Sequence, residues 1–129
     1  NLMLIDFQDA RMGPRQYDLV SLLKDSYIVL EEETRNELLS YYLHRMEQEE
    51  GRHIPRSAFL KIFDWMSVQR NLKAIGTFSS QYMEFKNERY LEYIDPTLRY
   101  VQDVIHSRPD LEPLGQALKQ AIPGLNTST

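Results

Sequence analysis

The chain has 129 residues, 42% hydrophobic and 26% charged, a balance that supports one folded domain and excludes a disordered or collagen-like polypeptide. Fifteen Lys and Arg against 19 Asp and Glu give a net charge of −4, which argues against a nucleic-acid module built on phosphate neutralisation, with a local basic patch still open. The absence of cysteine excludes a disulfide framework, a thiolate zinc site and a cysteine nucleophile, and agrees with a reducing, cytoplasmic setting.

In chain order, Asn1-Leu-Met-Leu-Ile-Asp-Phe-Gln8 reads as a buried strand running into a polar turn. Met12-Gly13-Pro14 marks a turn, and Tyr17 to Lys24 opens a short apolar helix with Asp18 near its start. An Asp there is expected to accept backbone N–H groups and to favour the positive end of the helix dipole. Glu31 to Glu49 reads as a long helix, with Leu38, Leu39, Tyr42, Leu43 and Met46 at spacings of three and four and Gly51 as its stop.

From Arg56 to about Glu84 no proline intervenes, and apolar residues spread round much of the circumference, so this helix is expected at the centre of the domain. Two stripes can be traced on it. Trp65, Val68, Leu72 and Ile75 read as core. Met66, Gln69, Arg70 and Lys73 form a second face, which is either solvated or a patch meeting a carboxylate or phosphate in a cleft. The aromatics Tyr41, Tyr42, Phe59, Phe63, Tyr82 and Phe85 are read as core rather than as a sugar-stacking platform.

Asp95-Pro96 is read as a cap and first helical position opening Thr97 to Ser107. Pro109-Asp110 starts a last helix, Leu111 to about Ala121, closed by Pro123-Gly124. The folded unit is then residues 1–125, and Asn126 to Thr129 should fray. His44, His53 and His106 lack metal-ligand spacing. No apolar run approaches the ~20 residues of a membrane span.

The segment richest in chemistry is the first. Asp6 follows a buried strand at the point where the chain enters a loop, and Mg²⁺ favours one or two carboxylates combined with phosphate oxygens and water. An isolated Asp-Phe pair, however, does no more than cap a turn.

The pair lies within Ile5-Asp6-Phe7-Gln8-Asp9-Ala10, followed by the Gly13-Pro14 turn and Tyr17-Asp18-Leu19-Val20-Ser21-Leu22-Leu23. This string resembles the aminoglycoside phosphotransferase and choline kinase superfamily, most nearly its bacterial cell-wall amino-sugar kinases, which phosphorylate N-acetylmuramate and N-acetylglucosamine at the anomeric position. A second stretch, Met66-Ser67-Val68-Gln69-Arg70-Asn71-Leu72-Lys73-Ala74-Ile75-Gly76-Thr77-Phe78 with Tyr90-Leu91 downstream, is similar to their C-terminal lobe. The resemblance extends to about Leu114.

It implies a mainly α fold, the C-terminal helical lobe of a protein-kinase-like enzyme with a strand remnant at the N-terminus. By the resemblance, Asp6 matches the Asp that bridges Mg²⁺ to the nucleotide phosphates. Gln8 stands where protein kinases have Gly. Asp9 either touches a second metal or caps the turn. Asn1 is either the metal-binding Asn, with a segment lost before Asp6, or a strand-edge residue. Asp18 matches the helix-opening Asp that holds the backbone of the catalytic loop. Gln69, Arg70 and Lys73 are the candidate acceptor-binding residues.

The implied cofactors are ATP and Mg²⁺, and the implied partner is a sugar or another small alcohol, with no nucleic acid or membrane. The His-x-Asp-x-x-x-x-Asn catalytic loop, the nucleotide-clamping loop and the phosphate-binding Lys are not in this sequence. The chain alone is therefore expected to be inactive. An aminoglycoside, choline or homoserine kinase-like enzyme and a nucleotide-binding pseudokinase are the alternatives.

Overall fold

Pro14 turns the chain into the first helix, its carbonyl accepting the Tyr17 N–H at 3.0 Å. The computed structural model describes residues 12–122. The expected strand at 1–8, with Asn1, Asp6 and Asp9, the Pro123-Gly124 stop and the tail at 126–129 lie outside the described residues. Among the described residues there are five α-helices and no strand: α1 (Gln16–Leu23), α2 (Glu32–Glu50), α3 (Arg56–Phe85), α4 (Ile94–Ser107) and α5 (Glu112–Ala121). Short 3₁₀ turns, Glu88–Tyr93 and Pro109–Leu111, lead into α4 and α5. None of these helices is long and apolar enough to cross a membrane.

The acidic first turn of α2, Glu32 and Glu33, complements the positive end of its dipole. The helix stops at Gly51, which takes the left-handed conformation (φ 63°) and returns its N–H to the Glu47 carbonyl at 3.0 Å. A residue with a Cβ would be strained in that conformation. Helix α3 has 30 residues, about 45 Å of unbroken spine. Its end is set by Lys86, a non-glycine residue at φ 54°, whose N–H donates to the Tyr82 carbonyl at 2.9 Å.

Helix α3 is central, as expected, and gathers two apolar clusters along its length. Its first half carries Phe59 and Phe63 into a cluster with Leu19, Val20 and Leu23 of α1 and Leu39 and Leu43 of α2. Each buried Phe contributes about 1.5–3 kcal/mol by transfer from water. Farther along, Val68 meets Val101, Val104 and Ile105 of α4, and Leu114 and Leu118 of α5 close over that cluster. Near the end of α3, Phe78 stacks on Tyr90 and meets Tyr27 and Tyr93 edge-on or tilted, with centroids 5.8–5.9 Å apart.

The buried stripe of α3 differs from the one expected. Trp65 is 44% exposed, its ring lying under the Lys61 ammonium at 5.1 Å, and Ile75 is only half-buried. The buried positions are Phe59, Phe63, Ser67, Val68, Asn71 and Phe78. Two polar residues thus occupy the inner face, joined by an Asn71 Nδ2 to Ser67 Oγ hydrogen bond of 3.3 Å.

Of the aromatics read as core, Phe59 and Phe63 are buried, while Tyr41 and Phe85 are exposed. Leu38 of α2 is exposed as well. Helix α4 begins at Ile94, ahead of the expected Asp95-Pro96 cap, because the 3₁₀ turn runs directly into it. Pro96 is accommodated in the first turn, where its missing N–H has no intrahelical partner to lose.

Candidate functional site

Two of the three candidate residues on α3, Arg70 and Lys73, line one cavity of about 240 Å³, formed between α3, α1 and the segment that follows α1. One helical turn separates the two cations. Arg70 is half-buried, and its Nε donates to Ser21 Oγ at 2.5 Å, while Ser21 Oγ donates to the Tyr17 carbonyl at 3.0 Å. Neither Arg70 nor Lys73 forms an ion pair with a described residue. Gln69 is exposed and does not line the cavity, and Met66 of the same expected stripe turns toward the first apolar cluster.

The opposite wall comes from Asp25, Ser26 and Tyr27, none of which the sequence pattern singled out. Asp25 folds back in a tight turn, its Oδ1 accepting the Tyr27 N–H at 2.6 Å. Ser26 is 5% exposed, and its hydroxyl is buried without a hydrogen-bond partner among the described residues. Phe78 and Tyr17 supply apolar surface. The only sequence signal for this wall is a polar Asp-Ser pair one residue beyond the apolar end of α1, after Lys24.

Asp18 lies in the first turn of α1 and is exposed. Contrary to expectation it makes no capping hydrogen bond: no side chain caps this helix. Its contribution within the described residues is its charge at the positive end of the dipole. It has no hydrogen-bond or ion-pair partner among the described residues.

A larger cavity, about 400 Å³, opens between α1, α2, α3 and α4. It is lined by charges of both signs. Lys24 lies 5.5 Å from the Phe63 ring and 6.0 Å from that of Tyr100, and Arg35 is 5.5 Å from Tyr100, with Asp64, Asp103 and Glu32 around them. Burial pushes the Lys24 ammonium below the usual lysine range, with Asp64 opposing the shift. Burial likewise raises the Asp64 carboxyl, with Lys24 and Arg108 opposing. Three carboxylates thus face two cations, so no positive charge in this cavity is left for an anionic ligand.

Among the described residues no three His, Asp or Glu side chains converge to hold a metal ion. The candidate ligands Asp6, Asn1 and Asp9 lie outside that range.

A model of the phosphotransferase enzyme family matches residues 1–58. A protein of Neisseria meningitidis serogroup B named N-acetylmuramate/N-acetylglucosamine kinase is 37% identical over 95% of this chain and 39% of its own length. The chain is therefore similar to part of a protein named as a kinase, and its first 58 residues are similar to the phosphotransferase enzyme family. Proteins of the same name from Pseudomonas aeruginosa and Pseudomonas putida are 35% and 33% identical, over 92% and 91% of this chain and 37% and 35% of their own lengths. The chain thus spans less than two-fifths of these curated relatives. No solved structure matches it significantly. The helical architecture described above is consistent with the helical lobe of a kinase-like fold.

Proposed function

We propose that the protein to which this chain belongs transfers the γ-phosphoryl of ATP to a hydroxyl of an amino sugar, N-acetylmuramate and N-acetylglucosamine, in the recycling of cell-wall sugars in the cytoplasm. The observation that carries this reading is the similarity to three kinases named for those sugars, which runs across more than nine-tenths of the chain and includes the Arg70–Lys73 segment.

In this reading catalysis is by positioning and electrostatics, without a covalent intermediate. Mg²⁺, when bound, neutralises charge on the transferring phosphates. Asp6 is its main ligand, with Asn1 and Asp9 as further candidates. Asp18 fixes the backbone of a catalytic loop that this sequence does not contain, which suits its exposed, unpartnered carboxylate. Arg70 and Lys73 face the acceptor.

The test is to incubate the full-length protein with ATP and Mg²⁺ against a panel of both amino sugars, an aminoglycoside, choline and homoserine, and to detect phosphorylated product by mass spectrometry. Phosphorylation of the two amino sugars is expected. Transfer to another alcohol instead would reassign the acceptor, and ATP binding without any transfer would make the protein a pseudokinase.

A further inference from the structure

We propose that the cavity beside Arg70 and Lys73 is the subsite for an anionic substituent of the acceptor, and that Ser26 is the residue through which it reads that substituent. The inference rests on the amino-sugar reading above and adds to it which part of the acceptor is recognised, and by what.

Three independent features converge. First, the charges are unbalanced: two cations stand one turn apart without an ion pair among the described residues, against the single carboxylate of Asp25. That carboxylate is partly committed, since one of its oxygens already holds the Tyr27 N–H. Its other oxygen can accept from an amide or hydroxyl of a sugar.

Second, Ser26 combines near-complete burial with an unsatisfied hydroxyl. Buried hydroxyls are almost always paired, and an unpaired one beside a cavity can take an acceptor that arrives with a ligand. Ser26 Oγ is closed to solvent in this conformation, and rotation about the single Cα–Cβ bond is what turns it toward the cavity. A carboxylate entering between Arg70 and Lys73 would relieve it. Third, the cavity has the room and the lining for such a group. A short carboxylate-bearing arm fits within its volume of about 240 Å³, its methyl group against Tyr27 or Phe78.

N-acetylmuramate carries such an arm, a lactyl ether, and N-acetylglucosamine has a hydroxyl in its place. The subsite therefore favours the first sugar over the second through charge-assisted hydrogen bonds. Arg70 keeps one donor on Ser21, which fixes the plane of its guanidinium and leaves its terminal nitrogens for the anion.

The experiment uses the full-length protein. Binding of N-acetylmuramate and of N-acetylglucosamine is measured by calorimetry without ATP, and kcat/KM is measured for each sugar. For Ser26→Ala and, at an exposed position that folding tolerates, Lys73→Met, the expected result is a shift of about tenfold in the ratio of the two sugars' kcat/KM toward N-acetylglucosamine, carried by KM. The binding preference should fall in parallel. An unchanged ratio in both variants, or equal losses on both sugars, overturns the subsite, as does a wild-type protein that binds N-acetylmuramate no better than N-acetylglucosamine. If the wild-type protein binds N-acetylmuramate preferentially, and Lys73→Met abolishes the preference, but neither sugar is phosphorylated, the kinase reading fails and the subsite stands.

Discussion

Arg70 and Ser21 lock α3 to α1 through a single hydrogen bond of 2.5 Å, part-buried and joining residues 49 apart in sequence. Because Ser21 also donates to the Tyr17 carbonyl one turn back on α1, the Arg70 side chain is tied to the backbone of the neighbouring helix. Arg70→Lys keeps the charge and removes the fixed fork. We expect it to lower stability by about 1–3 kcal/mol, as for loss of a hydrogen bond to a charged group. Ser21→Ala should lose a similar amount, and the double variant should lose less than the sum of the two, as read by denaturant unfolding.

The connection from α2 to α3 has an electrostatic latch. Glu47 accepts the Ile54 N–H at 2.8 Å and pairs with His53 Nδ1 at 2.6 Å. The backbone hydrogen bond from Ile54, followed by the interactions with His53, holds its carboxyl below the usual glutamate range. A depressed carboxylate contributes stability that is fully present above its unfolded-state pKa, about 4.3, and is lost as pH falls through the lower folded value. Glu47→Gln should therefore melt below the wild type at pH 7, and the gap should close as the pH drops below about 4. A gap independent of pH would assign the effect to packing.

Two aspartates separate chemistry from scaffold. Under the proposed function Asp6→Asn should leave the melting temperature almost unchanged while kcat falls by orders of magnitude; turnover within a few fold of wild type at saturating Mg²⁺ and ATP would remove Asp6 from the metal site. Asp18→Ala should destabilise the intact protein by about 1–3 kcal/mol, through backbone N–H groups left unpaired, and activity should fall with it. An unchanged melting temperature with abolished metal binding would instead make Asp18 a metal ligand.

Two helical glycines should respond with opposite signs. At Gly115 in α5 an added Cβ would stand 2.7 Å from Ile105 Cγ2 of α4, whereas at Gly76 in α3 it would meet nothing within 4 Å among the described residues. Gly76→Ala should raise stability by about 1 kcal/mol from helix propensity alone. At Gly115 the same gain is set against overpacking of about 1–3 kcal/mol, and thermal unfolding should show a net loss.

The helices were legible in the sequence because their limits are local. Gly51 has to adopt a positive φ, and the absence of proline between Arg56 and Phe85 lets one helix run its full length. The inward face of α3 was not legible, because apolar spacing marks Trp65 and Ile75 while the buried row contains Ser67 and Asn71, polar residues that pair with each other. Arg70 and Lys73 could be nominated from their spacing and from family resemblance. Their counterpart could not: Ser26 sits in a non-helical segment with no periodicity, and its burial depends on tertiary packing. The turn at Asp25–Tyr27 is a local signal for shape, silent about what it faces.

Helix α2 offers the core only Leu39 and Leu43 as buried side chains along its 19 residues, while α3 is clasped by α1 on one part of its length and by α4 on another. This asymmetry sets a hierarchy of opening. Backbone amides of α2 should exchange with solvent deuterium through local detachment that leaves the rest intact, and those of the middle of α3 only when the whole unit unfolds. Departure of α2 would strip one wall from the cavity around Lys24 and rehydrate its charges, so that this helix behaves as a hinged cover on an otherwise continuous scaffold.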